Sequence, residues 1–514
     1  MLLHDLVSEA ARDQPDRAAL IVDDQTTTFA ELDQRVRALA RAVAAAAERG
    51  DRVAFVAANG PEWVEAYYGV PRAGCLLGFV NHRLGPEAKR EAVARFEPSV
   101  LIGDDAQLAD LAATGPLTAL ARVVVSIGGP HPGAVPYEEF VAAGAGLPSR
   151  SLPADLDPGD TAWLIATSGT SGTPKVVELS HANLLAAVDG TLAVRPMAAD
   201  DVYLFPFPLC HVAGYNVVLF HRSQRPVVIA RQFTPSGLVE QIGRHRVTNV
   251  SLAPTMIDAI VDHLAASGAS LAPLRSVSYG SSSIAPDLLA RAVERFGTDF
   301  NQGYGMTELA GNAVFLGADD HRRALASDPA LLTSAGRPGP GIEVRLLDDA
   351  GHDVTAGGVG EIVVRAPQVM KGYWRAPEAD ADAFHEGWFR TGDVGRFDDA
   401  GHLSIVDRKK DIIISGGENV SSREVEDKLA AHPQIAAVSV VGAPDERWGE
   451  LVCAFVVPRP GTHLTADEVL AFGRAAIGGF QQPRRVVLLE ELPRNGSGKV
   501  LKHELRDRLR GPRR

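Results

Sequence analysis

The sequence contains few cysteines, and their placement excludes two common kinds of stabilisation. Cys75, Cys210 and Cys453 are the only cysteines among 514 residues, and none is part of a CxxC pair or has a histidine at metal-ligand spacing. This pattern argues against a disulfide framework and against a zinc site. It fits a reducing compartment, so we expect a cytoplasmic protein.

An excess of basic charge and long apolar segments are also missing. The chain carries 51 Lys+Arg against 64 Asp+Glu, a net charge of −13, which disfavours general nucleic-acid binding. Because no window of about 18 residues is continuously apolar, we expect no membrane span. Residues 1–9 lack the basic start and apolar stretch of a signal peptide. At roughly 150 residues per domain, this length suggests about three domains or subdomains.

Alternating helical and strand patterns predict an α/β fold. Thr28 and Glu31 have capping-box spacing before an apolar stripe, a strand is expected at 52–57, and Pro61 begins the next helix before a strand at 75–80. The alternation returns with strands at 227–229, 250–252 and 276–278 and with helices at 236–245, 255–266 and 286–296. We therefore predict two lobes, each built on a parallel-type sheet.

The second half of the chain has a different pattern. Residues 331–406 contain short apolar runs between turns, which predicts a small antiparallel barrel. The last hundred or so residues combine capping boxes at 421–424 and 465–468 with strands at 436–441, 451–457 and 485–489, a pattern typical of an α+β unit. The charged run 407–411 marks a boundary. We predict an N-terminal domain, 1–409, and a small mobile C-terminal domain, 410–514.

The segment 167–175, TSGTSGTPK, is the strongest single motif for a phosphate site. It follows an apolar run expected to be a strand, and its glycines, hydroxyls and one lysine suit an anion. It is not a Walker loop, because Pro174 separates Gly172 from Lys175. Taken alone, a Gly/Ser/Thr-rich surface loop remains an alternative.

Seven further segments together resemble the ordered motifs of the adenylate-forming, AMP-binding acyl-CoA synthetase family. The YGSS variant at 279–282 is similar to actinobacterial-type fatty acyl-CoA ligases. The resemblance covers nearly the whole chain. The segments are PLCHVAG at 208–214, YGSSS at 279–283, GYGMTE at 303–308, WFRTGD at 388–393, DRKKD at 407–411, SGGEN at 415–419 and PRNGSGK at 493–499.

The resemblance implies a reaction in two steps, with ATP, Mg²⁺ and CoA. A carboxylate first attacks the α-phosphate of ATP and releases pyrophosphate, and a thiol then takes the acyl group. Two anions meet in the first step, so the site needs cations and fixed donors. The resemblance implies that Lys499 bridges the two anions, that Thr307 donates to the α-phosphate and that Glu308 is the Mg²⁺ ligand. His211 completes the catalytic set.

Further residues receive roles by the same resemblance. Lys410 matches the hinge position, and Gly416 and Gly417 match a tunnel for the CoA pantetheine. Tyr304 offers a flat face for adenine, while Asp393 and Arg408 suit the ribose hydroxyls. The implied acyl pocket consists of His211, Val212, Tyr279, Gly303 and Met306. The implied ATP and AMP ligands are Thr167, Ser168, Gly169, Thr170, Ser171, Gly172, Lys175, Gly280, Ser281, Ser282, Gly303, Tyr304, Gly305, Met306, Asp393 and Arg408.

Two departures from the family pattern leave alternatives open. Val176 stands where relatives have glycine, and Gln481-Gln482 replaces a basic pair that could serve the CoA phosphates. The acceptor could therefore be an amine or a carrier protein, and the activated acid a small one such as nitrite. A third alternative is a non-catalytic nucleotide-binding relative. With no arginine evident in the pocket, we expect a fatty acid first and an aryl acid second. A homodimer is also left open.

Overall fold

The computed structural model describes residues 1–148, 152–167, 174–280, 284–355, 357–445, 447–494 and 500–510, the side chain of residue 510 excepted. The chain forms two compact units. The first comprises Met1–Glu343 with Arg365–Phe389, and the second comprises Val344–Val364 with Arg390–Arg514.

The α-helices are short to medium in length and occur throughout the chain. They are α1 (Leu3–Asp13), α2 (Phe29–Ala46), α3 (Pro61–Arg72), α4 (Pro86–Phe96), α5 (Asp105–Ala113), α6 (Tyr137–Ala145), α7 (His181–Val194), α8 (Tyr215–Arg222), α9 (Pro235–His245), α10 (Pro254–Ser267), α11 (Pro286–Phe296), α12 (Ala318–Ser327), α13 (Pro377–Ala383), α14 (Ser422–Ala430), α15 (Ala466–Ala476) and α16 (Lys502–Arg510).

The strands alternate with these helices in the first half of the chain and dominate after it. They are β1 (Ala18–Val22), β2 (Gln25–Thr28), β3 (Arg52–Val56), β4 (Leu76–Phe79), β5 (Val100–Asp104), β6 (Val123–Ile127), β7 (Val135–Pro136), β8 (Thr161–Thr167), β9 (Lys175–Ser180), β10 (Tyr203–Phe205), β11 (Val227–Ile229), β12 (Asn249–Leu252), β13 (Ser276–Gly280), β14 (Asp299–Met306), β15 (Gly311–Leu316), β16 (Arg337–Pro338), β17 (Glu343–Leu347), β18 (Gly360–Arg365), β19 (Gly372–Tyr373), β20 (Phe384–His385), β21 (Trp388–Phe397), β22 (Leu403–Arg408), β23 (Ile413–Ser415), β24 (Glu418–Val420), β25 (Ile435–Asp445), β26 (Gly449–Pro458) and β27 (Arg485–Leu488).

The first unit contains two large sheets, as predicted. One has the order β16-β15-β14-β13-β12-β10-β11-β1-β2, and the other β19-β9-β8-β4-β3-β5-β6-β7. Both are parallel in the middle, but β2, β15 and β16 in the first and β9 and β19 in the second join antiparallel. The predicted parallel lobes are confirmed, and the antiparallel edges are an addition to them.

Burial explains why these strands form where they do. Val53 to Val56 of β3 are fully buried, as expected for a central strand covered on both faces. Helix α2 begins where predicted, because the Thr28 hydroxyl accepts from the Glu31 N–H while the Glu31 carboxylate accepts from the Thr28 N–H. Local signals and core burial therefore agree in this part of the fold.

The second unit contains most of a five-stranded sheet and a complete small α+β sheet. The former has the order β17-β18-β21-β20 with β22 beside β21. Its β20–β21 and β21–β22 pairs are antiparallel, in agreement with the prediction. The latter has the order β24-β23-β26-β25 with β27 beside β26. Its core includes Val425, Leu429, Val440 and Val452. The predicted domain boundary between residues 409 and 410 marks where the C-terminal domain is expected to move. The division into two compact units does not test that movement, so the boundary stays a prediction.

The cysteines and the lengths of the helices are two further features of the fold. Cys75, Cys210 and Cys453 are all buried free thiols. Within the described ranges, no helix combines the length and apolar content needed to cross a bilayer.

Candidate active site

Neighbouring parallel strands carry the predicted nucleotide residues of the first unit. β13 and β14 pair in a register that sets Gly280 beside Gly303. A Cβ atom at Gly280 would lie 2.5 Å from the carbonyl oxygen of Gly303, so close strand packing alone requires glycine there. β14 continues through Tyr304 to Met306 and ends in a single 3₁₀ turn, Thr307–Leu309. One continuous segment thus presents the predicted adenine, phosphate and Mg²⁺ residues in order.

The predicted Mg²⁺ ligand, Glu308, is held through both backbone and side chain. The Met370 N–H donates to the Glu308 carbonyl at 2.9 Å, and the Tyr373 hydroxyl donates to Glu308 Oε1 at 3.1 Å. Burial, together with the Glu308 charge, raises the pKa of Tyr373. The hydroxyl therefore stays protonated and fixes one carboxylate oxygen. The sequence analysis missed Tyr373, whose position depends on strand pairing across the unit.

The two described ends of the 167–175 loop lie near the hydrogen-bonded pair of Tyr373 and Glu308. Thr167 ends β8 and Lys175 begins β9, and the Thr167 hydroxyl donates to the Lys175 carbonyl at 3.3 Å. β19 pairs with β9, which places the Lys175 Nζ atom 4.7 Å from the centroid of the Tyr373 ring. A cation and a carboxylate thus flank the same ring. Outside the described residues lie Ser168, Gly169, Thr170, Ser171, Gly172, Ser281, Ser282 and Lys499.

His211 lies in a loop that is held in place by hydrogen bonds to other parts of the first unit. The Asn59 amide donates to the Phe207 carbonyl at 2.7 Å and accepts from the Leu209 N–H at 2.9 Å, and the Tyr67 hydroxyl donates to the Leu209 carbonyl. Burial lowers the pKa of His211 to about 4. The imidazole is therefore neutral at pH 7, and its buried Nε2 atom has no hydrogen-bond partner among the described residues.

Two further residues near His211 were missed from sequence. Arg83 and His82 both contribute to the lowered pKa of His211, and burial lowers the pKa of His82 as well. They follow β4, a parallel strand, and ligands of α/β sheets bind beyond the carboxyl ends of such strands. The polar triplet 81–83 directly after a buried strand was the signal available in the sequence.

A cavity of about 110 Å³ lies beside these strands. Three of the predicted acyl-pocket residues line it, namely Val212, Tyr279 and Met306. His211 and Gly303 are not part of that lining, so their pocket roles stay predictions. The expectation of a pocket without arginine is wrong, because Arg195, at the end of α7, also lines the cavity.

Asp393 and Arg408 belong to the second unit, where they are cross-strand partners. β21 and β22 pair with Asp393 directly opposite Arg408, and Arg408 Nε lies 3.6 Å from Asp393 Oδ1. The buried Asp393 also donates its N–H to the Thr391 hydroxyl at 3.1 Å. A carboxylate acceptor and a guanidinium donor are thus held side by side, as the predicted ribose contact requires.

Gly416 and Gly417 form the turn of a hairpin. β23 and β24 pair with Ser415 opposite Glu418, and the glycines have φ of +62° and +87°. Positive φ at both positions is the mark of a tight hairpin turn that favours glycine. The Gly416 N–H donates to the carbonyl of Trp448 at 2.8 Å. The partly exposed Trp448 was not predicted from sequence.

The predicted hinge residue, Lys410, lies in a 3₁₀ turn, Lys409–Asp411. Arg506 donates to the Lys410 carbonyl at 3.2 Å and to the Asp411 carboxylate at 2.7 Å. Burial lowers the pKa of Lys410. The turn is therefore tied to α16 within the second unit.

Two family models match this chain. Residues 7–374 match the family described as AMP-binding enzyme. The chain belongs to the AMP-binding enzyme family. Residues 424–499 match the family's C-terminal domain.

Similar proteins include several that join acids to CoA. The chain is 38% identical over 502 residues to a feruloyl-CoA synthase from an Amycolatopsis species, covering 97% of both chains. It is 35% identical to an indoleacetate–CoA ligase from Aromatoleum aromaticum, covering 98% of both. The solved structure of the amide bond synthetase McbA from Marinactinospora thermotolerans has a TM-score of 0.85 at 32% identity, with 98% of this chain and 99% of that chain covered. The relatives favour an AMP-forming acid–thiol ligase over an amide-forming enzyme.

The described residues fit ATP with Mg²⁺ through a single protein carboxylate. Within the described part of the chain, no cluster of three or more His, Cys, Asp or Glu side chains could hold a metal by itself. Mg²⁺ in phosphate-transfer sites keeps several waters and takes only one or two carboxylates together with substrate phosphates. Glu308, oriented by Tyr373, suits that requirement.

Proposed function

We propose that this enzyme activates an aryl-substituted carboxylic acid with ATP and passes the acyl group to CoA. The observation that carries the proposal is the size of the cavity lined by Val212, Tyr279 and Met306. Its volume, about 110 Å³, is of the same order as the roughly 150 Å³ of an engineered cavity that binds benzene. A single ring fits this volume. The feruloyl and indoleacetate ligases, both similar to this chain, are named for aryl acids.

The first half-reaction joins two anions. An oxygen of the acid attacks the α-phosphorus of ATP, and the bond to the bridging oxygen breaks to release pyrophosphate. In our proposal, Lys499 and Thr307 stabilise the charge on the α-phosphate, Lys175 neutralises charge at the loop, and Tyr373 keeps the Glu308 carboxylate oriented. Bound Mg²⁺ supplies charge neutralisation to the phosphates, and Glu308 would hold it.

The second half-reaction is attack of the CoA thiol on the acyl carbonyl, with AMP as the leaving group. We propose that the Gly416-Gly417 turn gives pantetheine a path without side chains, and that Lys410 acts as the hinge. A neutral His211 does not add a cation that would compete with Lys499 for the reacting carboxylate. A cytoplasmic location and a homodimer stay predictions.

Transfer to an amine is a second candidate, and the two glutamines favour it. Gln481 Nε2 donates to the Glu424 carboxylate at 2.9 Å, and Gln482 Nε2 donates to the Ile477 carbonyl at 2.9 Å. These neutral side chains are engaged within their own unit and offer no charge to the CoA phosphates. The likeness to an amide bond synthetase agrees with this candidate.

The decisive experiment measures pyrophosphate release for a panel of aryl and fatty acids, with CoA, with an amine or with neither acceptor, and identifies products by mass. We expect release with aryl acids and an acyl-CoA product. An amide product without CoA consumption would favour the second candidate, and no release with any acid would support a non-catalytic relative. Lys499→Ala supplies the background rate, which we expect to be on the order of a hundredfold lower.

A further inference from the structure

Arg195 reaches the acyl cavity from the end of α7. Its N–H donates to the Thr191 carbonyl at 2.9 Å, which closes the helix, and its half-buried side chain contributes to the cavity lining. Ser251 and Ser278 belong to the same lining. They lie directly opposite each other in the register of β12 and β13. One wall of an otherwise mainly apolar cavity therefore carries a cation and two adjacent hydroxyls.

Among the described residues, no acid lies within ion-pair distance of Arg195, although Asp201 acts on it at longer range and lines a second cavity, of about 490 Å³, together with it. Across the described ranges, the Arg195 side chain forms no hydrogen bond and no ion pair, and it interacts electrostatically with Tyr203, Tyr215 and Asp201. Asp201 is already engaged, because its carboxylate lies 2.6 Å from Arg275 and accepts from the Thr248 hydroxyl at 2.8 Å. Burial lowers the pKa of Arg195, but a guanidinium remains protonated in proteins.

The tyrosine hydroxyls near Arg195 are occupied as well. The Tyr203 hydroxyl donates to Ser251 Oγ at 2.8 Å, and Asn312 Nδ2 donates to the Tyr215 hydroxyl at 2.9 Å. Ser251, Tyr215 and Asn312 all line the cavity. These neutral groups give the wall a fixed shape but do not compensate the charge.

Ser278 is an independent sign of a missing ligand group. The residue is 8% exposed, and its Oγ atom is buried without a hydrogen-bond partner among the described residues. A buried hydroxyl without a partner costs folding free energy, and the half-buried guanidinium of Arg195 has donors without a bonded acceptor. A bound molecule with an oxygen acceptor at this wall would satisfy both groups at once.

We propose that Arg195 and Ser278 recognise an oxygen-bearing group at the end of the acid remote from its reacting carboxylate. This inference rests on the proposed function and narrows its substrate class. The group is either a phenolic oxygen or a second carboxylate, since both accept from a guanidinium and a hydroxyl. Arg195 is then a specificity-determining residue. An acid with an unsubstituted ring leaves the Arg195 guanidinium and the Ser278 hydroxyl without an acceptor.

The test compares three acids that differ only at the far end of the ring: cinnamate, 4-hydroxycinnamate and 4-carboxycinnamate. For each, kcat/KM for pyrophosphate release is measured with the wild type, Arg195→Met, Arg195→Lys and Ser278→Ala. Arg291→Met is the matched control, because Arg291 is exposed on α11 and does not line the cavity. Melting curves verify that each variant is folded.

We expect the wild type to prefer at least one oxygen-bearing acid over cinnamate by tenfold or more. Arg195→Met should remove that preference by lowering kcat/KM at least tenfold more for the favoured oxygen-bearing acid than for cinnamate, Ser278→Ala should reduce the preference several-fold, and Arg195→Lys should retain part of it. The favoured acid distinguishes a phenolic oxygen from a carboxylate. Equal effects of Arg195→Met on all three acids, or no wild-type preference, would overturn the inference.

Failure of the proposed function gives a different result. If the wild type releases no pyrophosphate from any acid, the enzymatic proposal fails, and calorimetric binding of the same acids decides the inference alone. Tenfold weaker binding of the favoured oxygen-bearing acid to Arg195→Met, or to Ser278→Ala if Arg195→Met does not fold, would support the inference. Unchanged binding would overturn it.

Discussion

At the scale of single residues, the candidate site depends on side chains that fix the orientation of other side chains through hydrogen bonds. The Tyr373 hydroxyl orients Glu308, and Tyr137 makes the same kind of bond to Glu65 elsewhere in the unit, at 2.8 Å. A hydrogen bond to a charged group contributes about 1.5–3 kcal/mol. Variants of the two tyrosines can therefore be compared, to distinguish a positioning role at Glu308 from a purely structural role at Glu65.

We expect Tyr373→Phe to raise the Mg²⁺ concentration that gives half-maximal pyrophosphate release and to lower the rate by roughly tenfold at limiting Mg²⁺, because Glu308 loses its fixed orientation. The control, Tyr137→Phe, should lower the melting temperature without moving the Mg²⁺ titration. If both variants move the titration equally, Tyr373 has no positioning role.

Glu308→Gln tests the carboxylate itself. An amide offers one neutral oxygen in place of a charged carboxylate, so the Mg²⁺ requirement should rise further than in Tyr373→Phe, and turnover should fall. The measurement is a Mg²⁺ titration of pyrophosphate release at saturating ATP and acid. An unchanged titration would mean that Glu308 only packs structurally.

At the scale of elements, the hairpin of β23 and β24 combines a local requirement with a predicted role. Gly417 has φ of +87°, and an added Cβ atom would meet nothing within 4 Å; Gly461, in another turn, has φ of +79° and equally open space for a Cβ atom. Alanine at either position is strained by a similar amount, about 1 kcal/mol. The two positions differ only in their predicted relation to CoA.

We therefore expect Gly417→Ala and Gly461→Ala to lower the free energy of unfolding alike, whereas Gly417→Ala alone slows transfer of a supplied acyl-adenylate to CoA. Urea unfolding and thioester formation are the two measurements. If both variants transfer the acyl group at the wild-type rate, the glycine pair serves only the turn, and the predicted tunnel is elsewhere.

At the scale of the whole molecule, two properties can be tested: the change of arrangement predicted between the two steps of catalysis, and the dependence of stability on pH through buried histidines. Lys410 is predicted as the pivot of that change of arrangement. For the second, the histidines with strongly lowered pKa values are His4, His181, His211 and His221. Burial is the main cause in each, so all are neutral in the folded protein at pH 7.

Lys410→Pro should separate the half-reactions. Proline holds φ near −65° and restricts the residue before it, whereas a pivot must change its dihedral angles. Pyrophosphate release should persist and transfer to CoA should collapse. Equal loss of both activities, with a melting temperature lowered by several degrees, would indicate a folding defect and remove Lys410 as the hinge.

The free energy of unfolding should fall as the pH falls from about 6.5 to 4. His221 has a folded pKa of about 4 against an ordinary 6.5, so in this range the unfolded chain binds a proton that the folded chain does not. Each such group contributes up to about 1.4 kcal/mol per pH unit. Above pH 6.5 the contribution is constant.

His221→Gln isolates one of these groups. The ring bonds to the Tyr68 hydroxyl at 2.9 Å and the Ala19 carbonyl at 3.1 Å, so the variant should be less stable than the wild type at pH 7.5. Urea unfolding at lower pH should show that difference shrinking, since glutamine does not titrate. Parallel pH dependences would contradict the assignment.

By itself, the sequence determined the alternation of strands and helices, the antiparallel third sheet and the order of the family motifs. Periodicity, capping as at Thr28 and short motifs are written in neighbouring residues, so no tertiary information is needed to find them. The resemblance to the family's motifs identified Glu308, Asp393 and Arg408 as candidates.

Only the tertiary structure decided which distant residues meet. Tyr373 contacts Glu308 across 65 positions because β19 joins the edge of its sheet, and Arg195 lines one cavity together with Ser251 of β12 and Ser278 of β13. Sheet edges and helix ends depend on strand register and packing, which no local pattern contains. Arg195, the residue that follows α7, therefore lines this cavity although no local pattern in the sequence marked it.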